Sequence, residues 1–199
     1  MATQHGPRAP GRQQLHHYAN GRYLTGDSGY AGVPLAAHHN TVLVGGLGQA
    51  KEGGGHDAFA QVPYDLLNRI RISAVEVKGN SVLVRGDATA AYDPGLGLTR
   101  FVREFRYSPR AGFNITDDLA SRKPQLFTSL LHADGNISRE GERFFSFDAG
   151  GARLVVQVLA PERVSAAVEE NLLTAPGRPG SVDKGERQVR GNRLALSTT

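Results

Sequence analysis

One acidic residue and one histidine stand at the two ends of a loop between short apolar segments. Asp27 lies in the turn sequence GDSG, and His39 precedes the apolar run Val42–Val44. A carboxylate and an imidazole are two of the ligand types that zinc accepts, but zinc takes at least three protein ligands. The alternative is that Asp27 caps a turn and His39 makes a hydrogen bond at a strand end. The residue types alone favour this alternative.

Short strands and tight turns must position these two residues. The sequence YANG at 18–21 predicts a hairpin turn, because Asn20-Gly21 tolerates the positive φ that a type I′ turn requires. A strand begins at Arg22 and ends at the glycine-flanked Asp27. The run Val42–Val44 is β-branched, short and flanked by turn residues, which predicts another strand. The acid and the histidine are therefore expected at the ends of two strands joined by a loop.

Residues 18–48 resemble a known family. YANGRYLTGDSGY followed by HHNTVLVGGLGQ is similar to two segments in the C-terminal β-domain of heparinase II/III-like polysaccharide lyases, which include several alginate lyases. In that family the segments read Y-x-N-G-x-x-L-x-x-D-x-G-Y and H-N-T-hydrophobic-x-V-x-G-x-G-Q. The resemblance implies that Asp27 and His39 are metal ligands, with zinc as the metal, and it assigns no other residue.

The resemblance also implies a reaction and partners for the intact enzyme. Such an enzyme cleaves a uronate-containing, anionic polysaccharide by β-elimination: a base takes the C5 proton and an acid protonates the leaving oxygen. The family is periplasmic or secreted, and its catalytic tyrosine lies on a helical toroid domain. Neither that toroid nor a signal peptide is visible in this sequence. We therefore expect the isolated chain to be inactive, with no catalytic residue and no organic cofactor site.

The first seventeen residues depart from the family pattern. The family has a His-x-His-x-Asp segment there, which supplies a further metal ligand and a catalytic histidine, whereas this chain has GPRAPGRQQLHH. Read one base later, the codons for residues 7–17 permit H-x-H-P-D-A-N-S-F-I-I. Our hypothesis is that this segment is frameshifted and that the zinc ligand set is incomplete, unless His38 or His17 substitutes. The alternative is a natural flexible tail rich in Gly, Pro, Arg and Gln.

Length and composition favour an all-β domain. The chain has 199 residues, enough to bury a core, with 39% hydrophobic and 21% charged residues. It has 25 glycines and no tryptophan, and turn residues recur throughout, which favours many short strands over helices. We predict a large antiparallel β-sandwich of many short strands at residues 18–199, after an irregular tail at residues 1–17.

Several other function classes lack support in the sequence. The absence of cysteine excludes disulfides, thiolate metal sites and thiol catalysis. The net charge of +4 is modest, and no recognition motif or basic run indicates nucleic-acid binding. No apolar segment is long enough to span a membrane. Walker, dinucleotide-binding, H-E-x-x-H and G-x-S-x-G motifs are also missing.

The remainder of the chain reads as strand, turn and strand. Residues 69–79 alternate apolar and polar side chains, which predicts a half-buried strand, and residues 81–92 predict a second. Residues 142–148 and 152–159 predict a hairpin around Gly150-Gly151. Residues 165–173 fit either a short helix or an edge strand. Residues 187–199 predict a last strand that closes the sheet.

Residues 99–108 carry aromatic and arginine side chains on one predicted strand. Phe101, Phe105 and Tyr107 share one parity and are expected to pack inward, while the arginines are expected to be solvated. The alternative is an arginine strip that binds uronates, because guanidinium pairs bidentately with carboxylate. For the chain as a whole, the rival function is a non-catalytic carbohydrate-binding sandwich. The arginines concerned are Arg100, Arg103 and Arg106.

Other titratable residues receive structural interpretations. Asp117 and Asp118 are adjacent acids, which we interpret as turn or cap residues rather than an acid–base pair. His132 ends an apolar strand, where a hydrogen-bonded edge histidine is expected. His56 and Asp57 lie in a glycine-rich loop and are expected to be solvated.

Overall fold

The computed structural model describes residues 16–26, 35–49, 65, 68–173 and 190–199. These residues form short strands that pair only antiparallel, together with a few single turns of 3-10 helix. The all-β prediction is confirmed. The strands are β1 Tyr18–Ala19, β2 Arg22–Tyr23, β3 Val42–Val44, β4 Arg71–Lys78, β5 Ser81–Asp87, β6 Leu98–Ser108, β7 Gly112–Ser121, β8 Phe127–Ala133, β9 Asn136–Arg139, β10 Phe144–Ala149, β11 Ala152–Gln157, β12 Ser165–Leu173 and β13 Arg190–Thr198.

The chain divides into two compact units. One comprises Met1–Ala58 and Leu126–Thr199, and the other comprises Phe59–Gln125. In the first unit, the described strands form the β1-β2 hairpin, a three-stranded sheet in the order β11-β10-β9, and a four-stranded sheet in the order β12-β13-β8-β3. In the second unit they form a meander in the order β4-β5-β6-β7. Within the described ranges, no helix is long and apolar enough to cross a membrane.

Two sheets of the first unit pack face to face around an apolar core. Phe145 and Phe147 on β10 are fully buried against Leu194 on β13 and Ala133 on β8. The side chains alternate along each strand, so every second residue of β8 and β13 points into this sandwich. The remaining residues of those strands point to the opposite face of the four-stranded sheet.

A short turn covers that opposite face. The 3-10 turn Ala36–His38 packs its first residue against Leu43 on β3 and Leu130 on β8. The three residues of β3 are buried, as the apolar run in the sequence predicts. The side chains of His38, His39 and Asn40 are buried in the same segment. These three polar side chains therefore follow directly on the apolar cluster that Ala36 forms with Leu43 and Leu130.

The predicted hairpin is present at residues 18–23. Asn20 has a φ of 50° and Gly21 a φ of 76°, which are the positive values that a two-residue turn of this kind needs. The register pairs Tyr18 with Tyr23 and Ala19 with Arg22. The predicted hairpin around Gly150-Gly151 also forms, between β10 and β11.

The strand β4 differs from the half-buried strand that the sequence predicts. Its apolar residues Ile72, Val75 and Val77 are exposed. β4 lies at the edge of the β4-β5-β6-β7 sheet, where it pairs on one side only, with a register shift between Ile72 and Ala74. Alternation alone does not identify which sheet face is covered.

Two further segments depart from or refine the sequence interpretation. The predicted strand at 81–92 ends at Asp87, because the side chain of Asp87 accepts the backbone N–H of Thr89 at 2.9 Å and a 3-10 turn follows. Residues 165–173, which fitted a helix or an edge strand, form the edge strand β12. The last strand, β13, lies inside its sheet between β12 and β8 rather than closing it.

Candidate functional site

Of the two predicted metal ligands, the structure describes His39 but not Asp27. Asp27 lies outside the described residues, directly after Gly26. His39 is 1% exposed and follows the 3-10 turn, where its backbone N–H donates to the carbonyl oxygen of Ala36 at 3.1 Å. His39 is therefore a buried residue that links the 3-10 turn to β3, at the covered face of the four-stranded sheet.

A row of polar residues crosses that face of the sheet. The register pairs Glu169 on β12 with Arg193 on β13, and Arg193 with His132 on β8. A bridge then pairs His132 with Gly26. Arg193 Nε lies 2.6 Å from a carboxylate oxygen of Glu169, and Arg193 Nη1 donates to the carbonyl oxygen of Ala37 at 3.0 Å. The row leads from the sheet edge to the residue that precedes Asp27.

Asn40 joins this row to the segment that carries His39. Its side-chain oxygen accepts the backbone N–H of His132 at 2.6 Å, and its side-chain nitrogen donates to the carbonyl oxygen of Gly26 at 3.1 Å. The backbone N–H of Gly26 in turn donates to the carbonyl oxygen of His132 at 2.9 Å. The backbone before Asp27 and the backbone after His39 are therefore fixed to each other through one amide side chain.

The ring of His132 is enclosed by oxygen atoms. Its Nε2 lies 3.0 Å from the carbonyl oxygen of Ala37, and its Nδ1 lies 3.2 Å from the side-chain oxygen of Asn40. A neutral imidazole carries one N–H, so it donates to only one of these oxygens at a time. Burial, with the positive charge of Arg193 acting in the same direction, lowers the pKa of His132 to about 3. His132 is therefore neutral at physiological pH and cannot act there as a general acid.

The interpretation of His132 as an edge histidine is wrong. The residue is 3% exposed and lies on β8, between β13 and the short strand β3. Its hydrogen bonds are satisfied, as expected, but by a buried turn rather than by groups at a sheet edge. Nothing in the local sequence says which strands flank β8.

The donor set within the described residues does not complete a zinc site. No three His, Asp or Glu side chains converge in the part of the chain that the structure describes. His132 has both ring nitrogens next to oxygen atoms. His17 places its Nδ1 3.3 Å from the hydroxyl of Thr25, and burial lowers the pKa of His17. A zinc ion at His39 would therefore need Asp27, which lies outside these ranges, and at least one further donor.

A family model decides the relationship of the chain to known proteins. The model for the heparinase II/III-like C-terminal domain matches residues 35–191, which is most of the sequence. The chain belongs to the heparinase II/III-like family. This match includes His39, Asn40, His132 and Glu169, whereas the hairpin and Asp27 precede it. A search of curated proteins found no match.

Two solved structures share the fold of this heparinase II/III-like chain. A crystal structure of heparinase III matches with a TM-score of 0.67 at 15% identity, covering 96% of this chain and 27% of the other. A second structure, a heparinase III gene product, matches with a TM-score of 0.69 at 14% identity, covering 96% of this chain and 28% of the other. The chain thus spans about a quarter of the length of these two heparinases.

The arginines of the second unit do not form a free cationic strip. Arg100 pairs with Asp118 at 2.5 Å, and Arg106 pairs with Glu104 at 2.7 Å. Arg85 pairs with the same Glu104 at 2.6 Å. These carboxylates occupy the guanidinium groups that a uronate would need, so this heparinase-like strand is a poor candidate for polysaccharide binding.

Arg103 contradicts the expectation that the arginines are solvated. It shares the sheet face of the buried Phe101, with the guanidinium carbon 5.5 Å from that ring centroid. It makes a bidentate pair with Asp117, with nitrogen–oxygen distances of 2.6 Å and 2.7 Å. The aromatic residues were predicted to pack inward. Phe101 is buried as predicted, Phe105 is only half-buried, and Tyr107 is exposed, so the prediction is wrong for Tyr107.

The adjacent acids are strand residues rather than turn or cap residues. Asp117 and Asp118 lie in the middle of β7 and point to opposite faces, each towards an arginine of β6. The earlier interpretation is wrong because it placed them before a loop, whereas β7 continues to Ser121. His56 and Asp57 lie outside the described residues.

The sequence interpretation missed Asn40, Glu169 and Arg193 as parts of the site. Asn40 was visible in the H-N-T segment, but its partners are 14 and 92 positions away. Glu169 and Arg193 meet only because β12 and β13 pair in a register that the local sequence does not specify. Glu169 and Arg193 neutralise each other, and His132 stays neutral. The arrangement therefore serves to fix the positions of backbone segments rather than to transfer protons.

Proposed function

We propose that this chain is the β-domain of a polysaccharide lyase that cleaves uronate-containing polysaccharide by β-elimination. The observation that carries the proposal is the Asn40 cross-link, which lies at the start of the family match. It fixes the position of Gly26, next to Asp27, relative to His39. A domain in which Gly26 and the segment of His39 are fixed relative to each other is suited to form one side of a larger site.

The acid and base of the reaction come from another part of the intact enzyme. Abstraction of the C5 proton needs a base with a pKa near the working pH and access to the substrate. His132 is enclosed and has a pKa of about 3, and Glu169 is engaged by Arg193. We therefore propose that a helical toroid domain of the parent enzyme supplies the catalytic groups, and that this chain alone is inactive.

For the metal, we propose Asp27 and His39 as two ligands of a structural zinc site. A bound zinc ion would tie together the ends of the loop between them. His38 is buried and directly precedes His39 in the sequence. We propose it as the residue that could replace the missing third ligand. Two proposed ligands are too few for tight binding, so we expect well under one zinc per chain after dialysis. Elemental analysis of the wild type against Asp27→Ala and His39→Ala tests this, and equal zinc in all three contradicts it.

We further propose that the parent enzyme works in the periplasm or outside the cell. Extracellular and periplasmic spaces are where a protein meets long anionic polysaccharides. Fractionation of the native host, with detection of the parent protein by an antibody against this domain, tests the location. Recovery only with cytoplasmic markers contradicts it.

A domain exchange tests the lyase function. The β-domain of an active heparinase III-like enzyme is replaced by this chain, once as printed and once with a His-x-His-x-Asp segment restored before Tyr18. We expect the restored chimera to produce unsaturated uronate, measured by its absorbance, and the printed version to produce little. A folded restored chimera without activity on alginate or heparan sulfate contradicts the proposal. Activity from the isolated chain contradicts its proposed inactivity.

A second candidate function is a non-catalytic carbohydrate-binding sandwich. It requires an exposed sugar-binding surface and no acid–base pair. The exposed side chains of Tyr18 and Tyr23 on the β1-β2 hairpin favour it. Retention of the isolated chain by a polysaccharide gel, without cleavage of the polysaccharide, is the expected result for this function.

A further inference from the structure

The β1-β2 hairpin presents two tyrosine rings to solvent. Tyr18 is 63% exposed and Tyr23 is 58% exposed. Their ring centroids are 5.0 Å apart with an interplanar angle of 64°, and the ring of His16 lies 6.4 Å from that of Tyr23. The register pairs the two tyrosines directly across the hairpin, so both project from the same face. The hairpin therefore carries a cluster of aromatic rings on its outer face.

The hairpin is anchored to the core of the first unit. The backbone N–H of Leu24 donates to the carbonyl oxygen of His17 at 2.8 Å, and the backbone N–H of His17 donates to the hydroxyl of Thr25 at 2.8 Å. Leu24 and Thr25 are both buried. The next residue, Gly26, is the one that Asn40 and His132 hold. The aromatic cluster is thus fixed within a few residues of the candidate site.

Arg22 points to the opposite face of the hairpin from the two tyrosines, because it pairs with Ala19 and precedes Tyr23 on the same strand. Arg22 is exposed and its Nε would be 3.2 Å from a Cβ at Gly150, so this side chain rests over the turn between β10 and β11. Gly150 has a φ of 56° and no side chain to obstruct it. Among the described residues, no carboxylate forms an ion pair with Arg22.

A structural role explains part of this arrangement but not its exposure. A cross-strand aromatic pair stabilises a hairpin by about 0.5–1.5 kcal/mol beyond the area that it buries. Each of the two tyrosine residues nevertheless exposes more than half of its surface to water. A tyrosine has an apolar face and a polar hydroxyl, which together match the C–H face and the hydroxyl groups of a pyranose ring. Contiguous exposed apolar side chains, unlike scattered single ones, are a feature of ligand-binding surfaces.

We propose that Tyr18 and Tyr23 form a binding surface for a pyranose ring of an anionic polysaccharide. This inference rests on the proposed role of the chain in polysaccharide binding. It adds a named sugar contact to the hairpin that leads into the Asp27 and His39 segments.

The absence of tryptophan makes the contact directly observable. The chain has six tyrosines and no tryptophan, so its intrinsic fluorescence comes from tyrosine. We expect alginate oligosaccharides to change this emission on titration of the full chain. Replacing both hairpin tyrosines by leucine should weaken binding by roughly tenfold or more, the effect of about 1.4 kcal/mol. Replacing both by phenylalanine should keep most of the affinity, measured for these variants by calorimetry.

A matched control separates this surface from general loss of aromatic residues. Tyr107 is 43% exposed in the second unit, and Tyr107→Leu should leave the affinity unchanged. Far-UV circular dichroism confirms that each variant is folded. Arg22→Gln is a second control, because this side chain lies on the opposite face of the hairpin, and it should lower the affinity for alginate oligosaccharides by less than the double leucine substitution does.

Two results would overturn the proposal. The first is equal affinity of the wild type and the folded double leucine variant, and the second is the absence of any binding by the wild type. Neither result bears on the domain-exchange experiment, which depends on cleavage by a joined enzyme. A restored chimera that cleaves polysaccharide equally well with leucine at positions 18 and 23 would keep the lyase function and remove the sugar contact.

Discussion

The side-chain oxygen of Asn40 accepts the backbone N–H of His132 at 2.6 Å, across 92 positions of the sequence. The same amide group donates to the carbonyl oxygen of Gly26. One side chain thus satisfies two backbone groups from two different segments, on the buried face of the four-stranded sheet. Positions 26, 40 and 132 form a single hydrogen-bonded unit.

Asn40→Ala should destabilise the chain by roughly 2–4 kcal/mol, because it leaves the buried N–H of His132 and the partly buried carbonyl of Gly26 without this partner. Urea unfolding followed by circular dichroism measures the change. Asn114→Ala, at an exposed position of β7, is the control and should change stability by less than about 0.5 kcal/mol. Equal effects of the two substitutions would show that the cross-link contributes little.

The pKa of His132 predicts a loss of stability in mild acid. Its folded-state pKa is lowered to about 3, against an ordinary value of 6.5. Above pH 6.5 His132 is neutral in both the folded and the unfolded states, and the unfolding free energy carries the full contribution of this residue. Below it only the unfolded chain takes up the proton, so stability falls by about 1.4 kcal/mol per pH unit until about pH 3.

Unfolding free energies measured between about pH 7 and about pH 4 test this dependence. His132→Gln removes the titrating group and should flatten the curve by the contribution of one proton. His17, whose pKa is also lowered by burial, contributes a slope of the same sign. An unchanged slope in His132→Gln would contradict the assignment.

Removing one partner of the Arg103–Asp117 pair should be costly. Arg103 is almost fully buried, so Arg103→Met leaves an uncompensated carboxylate and should destabilise by about 3–5 kcal/mol. Arg100→Met breaks the exposed pair with Asp118 on the same two strands and should cost less than about 1 kcal/mol. The double variant Arg103→Met with Asp117→Leu should recover most of the loss, and denaturant unfolding compares the three variants.

Gly135 lies where no side chain fits. A Cβ at this position would lie 1.9 Å from the backbone carbonyl oxygen of Asp148. Backbone cannot move aside as a flexible side chain can, so Gly135→Ala should destabilise by about 3 kcal/mol or more. Gly141→Ala meets Phe144 only at ordinary contact distance and is the control. Thermal unfolding of the two variants should differ clearly, and similar midpoints would contradict the packing.

Local sequence was sufficient where a structure is decided by neighbouring residues. The hairpin at Tyr18 follows from Asn20-Gly21, and the buried strand β3 follows from three apolar residues between turns. The family resemblance was likewise carried by contiguous segments. These features need no knowledge of distant strands.

Pairs across a sheet were predictable only where a tight turn sets the register. The turn after Ser108 pairs that residue with Gly112, and the same register carries Arg103 to Asp117, so this pair could have been found from the sequence. The meeting of His132 with Asn40 could not, because no local signal says that β3, β8 and β13 are neighbours. The exposure of Val77 on β4 was missed for a similar reason, since alternation does not identify an edge strand.

The position of β13 has a consequence for synthesis on the ribosome. The unit Phe59–Gln125 is continuous in sequence, so its meander can form as soon as those residues have emerged. The other unit must wait, because β13, which follows the other described strands in the sequence, is inserted between β12 and β8 in the interior of the four-stranded sheet. Premature termination before Arg190 would therefore leave β12 and β8 without the strand that joins them.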